Sequence, residues 1–256
     1  MTPEELAAAL EAAFQQAREM DASLGERLAY IARMVRSLSP PFAEAVDRLV
    51  ERLNQADAGS SAPRPGAAMP PFLLPDERGH LVSLDTLLSK GPTAIVFNRG
   101  HWCPYCRLNT VALAEAQEEL RTERGHIVAI VPEGQRFAGR LKSEAKADFP
   151  ILTDLDNGYA LSLDLAIWVG EEMRRLIGAA GWDLPAYQGN ETWILPIPAT
   201  FVVDTEGIIR VRFVDPDYRK RMAIDDLIAA LRKAGERKPA EPSSGNLSGL
   251  GVGERR

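Results

Sequence analysis

The stretch Thr93-Ala94-Ile95-Val96-Phe97-Asn98-Arg99-Gly100-His101-Trp102-Cys103-Pro104-Tyr105-Cys106 decides the reading of this chain. Thr93 to Phe97 is a short apolar run with β-branched and aromatic members, the pattern of a strand buried on both faces. Pro104 suits the first position of a helix, where a missing N–H costs nothing, and the helix is expected to reach about Arg124, with Gly125 able to end it. A second apolar run, Ile127 to Val131, completes a βαβ pattern and predicts parallel strands. The two cysteines of the 256-residue chain therefore fall where a buried strand gives way to a helix.

Working outward, Phe72 to Leu74 and Leu81 to Leu84 flank the turn Asp76-Glu77-Arg78-Gly79 and predict a hairpin. Ile151 to Thr153 reads as a further strand. Phe201 to Asp204 and Ile208 to Phe213 bracket Thr205-Glu206-Gly207 as a second hairpin, and Ile224, Leu227, Ile228 and Leu231 mark a closing helix. Between these elements Tyr159 to Leu195 breaks the rhythm with two helical-looking segments, and it reads as an insertion (about 159–195). Its Trp168, Trp182 and Trp193 are expected to fill core, with the roof of a substrate groove as the alternative.

Upstream, Thr2 and Glu5 have the form of a capping box with Pro3 at the first helical position, and Leu6, Leu10, Phe14 and Ala17 follow on one face. Leu24, Leu28, Ile31, Val35 and Leu38 make a second stripe. Phe42, Val46, Leu49 and Leu53 make a third. Residues 1–53 are thus expected to be a helical extension that packs on the main domain or on itself, with dimerisation as the sharper alternative. Residues 54–70, rich in Ala, Gly, Ser and Pro, read as a linker. The main domain is expected over 71–234, and residues 235–256 have the composition of a disordered tail.

Hydrophobic residues are 45% of the chain and charged ones 26%, which excludes a chain too polar to fold. A net charge of −6 gives no reason to attract nucleic acid or an anionic membrane. No apolar run approaches the ~18 residues of a membrane span. Thr2-Pro3-Glu4-Glu5 stands where a signal peptide would carry positive charge, so a cytoplasmic location is expected.

Two cysteines three positions apart cannot make a disulfide framework, so the pair is either chemical or incidental. With Cys103 at the helix N-cap, the positive end of the helix dipole favours its thiolate, and Arg99 and His101 add charge on the same loop. Cys106, one turn inward, is close enough to resolve a bond made at the first sulfur. A zinc half-site would need further ligands, and only His101 lies nearby in sequence, so a zinc site is not expected. Two buried thiols without a role are the bland alternative. Arg99 and His101 each have a bland reading too, as solvent-facing loop residues, and Trp102 is expected to be structural, shielding the disulfide.

Beyond these patterns, the sequence from Pro70 to about Leu231 resembles the alkyl hydroperoxide reductase and thiol-specific antioxidant family, the peroxiredoxins. The matching residues are Pro71-Phe72-x-Leu74 with Gly79 and Val82-Ser83-Leu84, then Phe97-x-Arg99-Gly100-x-Trp102-Cys103-Pro104-Tyr105-Cys106. Leu195-Pro196-x-Pro198-Ala199-Thr200-Phe201-Val202-Val203-Asp204 and Asp215-x-Asp217-Tyr218-x-x-Arg221 follow. The resemblance implies a thioredoxin-like fold, a central mixed sheet flanked by helices, here with the helical extension and insertion. It implies reduction of hydroperoxides through a sulfenic acid and a disulfide, recycled by thioredoxin or a low-molecular-weight thiol, and it makes a homodimer a further expectation.

The family pattern surrounds its attacking cysteine with Pro, Thr and Arg. Counting from Phe97 puts that cysteine at Cys106, with Arg99 in the Pro position, Cys103 in the Thr position and Pro198 in the Arg position. Read in the thioredoxin register instead, Pro198 resembles a cis-proline facing the disulfide and Cys103 is the attacking sulfur. The expectation is therefore Cys103 as nucleophile and Cys106 as resolver, the reverse staying open. A peroxidase, a general thiol-disulfide oxidoreductase and a non-catalytic redox-sensing module are the three functions that fit.

Overall fold

The computed structural model describes residues 3–122 and 125–236. Three helices come first, α1 (Pro3–Glu19), α2 (Leu24–Leu38) and α3 (Pro40–Gln55). A capping box forms at α2, where Ser23 Oγ accepts from the Glu26 amide and the Glu26 carboxylate accepts from the Ser23 amide. Thr2, half of the expected box at α1, lies outside the described residues, as do residues 237–256 of the expected tail.

The hairpin forms as β1 (Leu73–Pro75) against β2 (Leu81–Ser83), followed by α4 (Leu84–Leu88). Next come β3 (Thr93–Phe97), α5 (Pro104–Glu115) and α6 (Gln117–Thr122), so the helix expected to reach Arg124 is broken at Ala116. Then follow β4 (His126–Val131), α7 (Gln135–Ala145) and β5 (Ile151–Thr153). Between β5 and the strand that follows Pro198 lie a 3₁₀ turn (Leu155–Asn157), α8 (Gly158–Ser162), β6 (Ala166–Trp168), α9 (Glu171–Ala179), α10 (Leu184–Gln188) and β7 (Ile194–Pro196). β6 and β7 pair antiparallel, a ladder that the helical appearance of this stretch conceals. The chain closes with β8 (Ala199–Val203), β9 (Ile209–Val214) and α11 (Ile224–Gly235).

Five strands form one mixed sheet in the order β5-β4-β3-β8-β9. β3 lies at its centre, parallel to β4 and antiparallel to β8, and all five of its residues are buried. Helices cover both faces, which is why the strands read as unbroken apolar runs. Val96, Ala129 and Val202 face α5, α7 and α11, while Ile95, Phe97 and Phe201 face the side of α4 and α8.

The N-terminal helices pack on the α5 side of the domain. Phe14, Leu28, Ile31 and Leu49 share one buried cluster with Cys103, Cys106 and Leu108. Arg107 of α5 ties this layer down, bridging Glu11 and Glu144 with its guanidinium 3.7 Å over the Phe14 ring.

Residues 54–70, read as a linker, run against the main domain. Gly66 and Met69 amides donate to the Ile209 and Gly207 carbonyls, Ile209 N–H donates to Ala67, and Ala62 and Met69 are buried. The small residues that suggested flexibility let this segment lie close against β9 instead. Among the described residues no helix is long and apolar enough to cross a membrane.

Candidate functional site: two buried thiols and two guanidiniums

The site begins where β3 ends. Asn98 extends the ladder by donating to the Ile130 carbonyl, and the chain then turns through Gly100 at φ +136°. A side chain at Gly100 would place a Cβ 2.5 Å from the buried Glu133 carboxyl, so the loop can approach β4 only with glycine there. Cys103 follows as the N-cap of α5, its carbonyl accepting from the Cys106 and Arg107 amides, with Pro104 in the first turn. Its side chain caps no amide.

Both cysteines are free and buried, Cys103 1% and Cys106 0% exposed. Cys106 Sγ accepts the Arg99 amide at 3.2 Å and the Arg221 Nη2 at 3.3 Å. Burial alone would raise the Cys106 thiol. The hydrogen bond from Cys103, the Arg221 charge and the Arg99 amide outweigh that cost and hold it well below the usual thiol value. Cys103 moves the other way, pushed up by burial and then by the hydrogen bond and charge it shares with Cys106.

This ordering runs against the helix-dipole reading of Cys103. A dipole at a helix end contributes ~0.3–1 kcal/mol, less than the ~1.5–3 kcal/mol of a hydrogen bond to a charged group, and Cys106 accepts one from a guanidinium.

Arg99 is not a solvent-facing loop charge: it is 3% exposed, its guanidinium 3.8 Å over the Tyr218 ring and 5.2 Å from that of Trp102. Tyr218 in turn packs edge-on against Tyr105, and burial pushes its hydroxyl up to about 12. Arg221 is held by donation to the Tyr218 and Lys220 carbonyls. Among the described residues neither Arg99 nor Arg221 makes an ion pair with a carboxylate. The Arg221 guanidinium thus meets the sulfur directly, while Arg99 gives it a backbone amide and places its own guanidinium over the neighbouring Tyr218 ring.

His101 departs from its expected role beside the thiols. Its amide and Nδ1 both bond to Glu133, at 2.8 and 2.9 Å, and its ring stacks on Phe137. Burial pushes the Glu133 carboxyl up despite the hydrogen bonds and charge of His101. Trp102 is buried against Trp182 at 5.4 Å. Pro198 joins β7 to β8, and no cis peptide bond occurs among the described residues, so the expected cis-proline is trans here. A trans bond is the ordinary preference of X–Pro by ~0.5–1 kcal/mol.

Above Cys103 lies a narrow slot of about 30 Å³ whose walls include Leu10, Phe42, Trp102, Trp182 and Tyr218. It has room for little more than a water-sized molecule. Its roof is the N-terminal extension, and of the inserted tryptophans Trp182 lines it. Among the described residues no group of three or more His, Cys, Asp or Glu side chains is placed to hold a metal ion.

Arg221 and Tyr218 were visible in the sequence only as the motif Asp215-x-Asp217-Tyr218-x-x-Arg221, with no role attached. Glu133, following the second apolar run, carried no signal beyond being a lone acid at a strand end.

Comparison with known proteins matches residues 65–212 to the family described as AhpC/TSA. The thiol:disulfide interchange protein DsbE of Pseudomonas aeruginosa is 28% identical over 149 residues, 58% of this chain. The chain spans 66% of the length of that curated relative. The crystal structure of peroxidoxin BcpB from Mycobacterium tuberculosis superposes with a TM-score of 0.52 at 21% identity, covering 66% of this chain and 97% of that one. A yeast mitochondrial 1-Cys peroxiredoxin gives a TM-score of 0.50 at 17% identity, covering 65% of this chain and 73% of that one.

Proposed function

Because the chain belongs to the AhpC/TSA family, we propose that it is a thiol peroxidase in which Cys106 attacks the hydroperoxide and Cys103 resolves the product. This reverses the roles that the helix cap suggested. The observation that carries it is the convergence of the Arg99 amide and the Arg221 guanidinium on Cys106 Sγ, with no carboxylate paired to either arginine among the described residues. The part-buried Arg221 guanidinium, which has no carboxylate partner among the described residues, favours an anion beside it, and a thiolate at Cys106 supplies one.

The reaction follows from this arrangement. The Cys106 thiolate attacks one peroxide oxygen and the O–O bond breaks. The leaving alkoxide or hydroxide takes a proton, and Cys106 becomes a sulfenic acid. Arg221 beside the reacting sulfur stabilises the negative charge that moves onto the leaving oxygen. The Cys103 thiol then displaces water from the sulfenic acid and forms the Cys103–Cys106 disulfide. Two equivalents of an external thiol restore the dithiol.

A general thiol-disulfide exchange activity is the second reading, favoured by the cysteine pair at a helix start and the likeness to DsbE. Rapid mixing of reduced protein with hydrogen peroxide separates the two. The peroxidase reading expects a sulfenic acid trapped in Cys103→Ser and none in Cys106→Ser. Slow oxidation by peroxide beside fast exchange with a model disulfide would support the second reading instead.

A further inference from the structure

Both sulfurs lie under the N-terminal helices, yet the wall that closes the slot on one side is thin. Trp102 and Trp182 line the slot over Cys103, and they also line a wider, open groove of about 700 Å³. That volume is in the range of small-molecule sites.

The charges in this groove are unequal to those of the chain. Arg136, Gly139, Arg140 and Ser143 recur at helical spacing on α7 and form one wall. Arg107, on another wall, is paired with Glu11 and Glu144, and His101 Nδ1 bonds to Glu133. Arg136 and Arg140 make no ion pair among the described residues, although the chain carries a net −6. They stand one turn apart, a like-charge spacing that disfavours the helix unless an anion joins them. No atom lies within 4 Å of where a Gly139 Cβ would be, so the floor between them is open.

We propose that this groove binds a small carboxylate-bearing thiol, the reductant that recycles the disulfide. The inference rests on the peroxidase reading and names the class of its electron donor. Carboxylates sit on Arg136 and Arg140, and the ligand thiol reaches Cys103 past Trp102. Its sulfur attacks Cys103 Sγ, the Cys103–Cys106 bond breaks, and Cys106 leaves as the thiolate that Arg221 already stabilises. A second thiol attacks the mixed disulfide. The small disulfide departs, Cys103 regains a proton, and the two thiols together have given two electrons.

The test measures reduction of protein already oxidised to the disulfide by diamide, so it does not depend on peroxide chemistry. Glutathione, neutral 2-mercaptoethanol and cationic cysteamine are compared at equal thiolate concentration. Glutathione is expected to be fastest, with a rate that falls as salt is added, whereas the 2-mercaptoethanol rate stays flat. The exposed double change Arg136→Glu with Arg140→Glu is expected to slow glutathione about tenfold or more and to speed cysteamine, leaving 2-mercaptoethanol and the peroxide step unchanged. A glutathione rate indifferent to the double change and to salt would overturn the groove assignment, as would an equal loss with all three thiols. Should the double variant not fold, Arg140→Gln and the salt series on the unaltered protein decide the same question. Failure of the peroxide step alone would strike the peroxidase reading and leave these rates to test the groove.

Discussion

Replacing Arg221 by methionine removes the guanidinium 3.3 Å from Cys106 Sγ while keeping much of its apolar bulk. A hydrogen bond from a charged donor contributes ~1.5–3 kcal/mol, and 1.36 kcal/mol corresponds to one pH unit, so the thiol titration should move up by roughly one to two pH units. Burial, which already works against the thiolate, is then opposed by Cys103 and by the amide and charge of Arg99. The measurement is the thiolate absorbance of reduced protein against pH, repeated as the pH dependence of alkylation by iodoacetamide. Arg221→Lys should recover part of the shift, and Cys106→Ser should abolish the low-pH step. Peroxide reactivity at neutral pH should fall in Arg221→Met by more than the lost thiolate fraction, because the charge also acts on the leaving oxygen. A midpoint that does not move, or a low-pH step that survives in Cys106→Ser and vanishes in Cys103→Ser, would refute the assignment of the thiolate.

Three other outcomes follow from the same geometry. The Cys106 thiol is lower in the folded chain than the ~8.5 of a free thiol, so its contribution to stability is complete above that value and lost as pH falls through the lowered one. Denaturant midpoints of wild type and Cys106→Ser should therefore converge on acidification below neutral pH, and a constant gap would contradict the shift. Gly100→Ala forces a Cβ against the Glu133 carboxyl at 2.5 Å and puts alanine at φ +136°, which should cost ~1–3 kcal/mol by denaturation. Phe14→Ala empties a fully buried site between the extension and α5, so a loss of ~3–5 kcal/mol is expected. Cys103 alkylation should become faster with it, and an unchanged rate would mean that the extension does not limit access.

The fold was legible because its central elements are local patterns. Thr93–Phe97 and Ile127–Val131 are apolar runs of strand length, and Pro104 marks a helix start by its own chemistry. The two-stranded ladder inside the insertion escaped because three residues on each side, Ala166–Trp168 and Ile194–Pro196, are too few to show a period. The packed course of residues 54–70 escaped for another reason: Gly and Ala look the same in a tether and in a close approach to β9, and the partner carbonyls lie about 140 residues away in sequence. At the site, the strand, the loop and the cysteine pair were readable. The ranking of the two sulfurs was not, since beside the hydrogen bond from Cys103 it depends on the Arg221 guanidinium, 115 residues from Cys106, while the local dipole argument favours the other sulfur.

Pro198, in the position where the family pattern carries arginine, cannot supply a guanidinium, yet one reaches Cys106 from the segment after β9. The exchange keeps the charge and changes its origin. Arg221 is anchored by the Tyr218 and Lys220 carbonyls, and Tyr218 holds the second cation, Arg99, against its ring. One short stretch, residues 215–221, therefore sets both charges around the sulfur. Cys103, standing where the pattern has threonine, acts on the thiolate as a hydroxyl would, through a hydrogen bond, and it differs in one respect: a thiol can go on to form a covalent bond with the sulfur it has stabilised. In the proposed reaction the hydrogen-bond donor to the thiolate and the group that resolves the sulfenic acid then occupy one position. That economy requires Cys103 to stay protonated while Cys106 is ionised, and the opposite directions in which the two thiols are pushed satisfy the requirement.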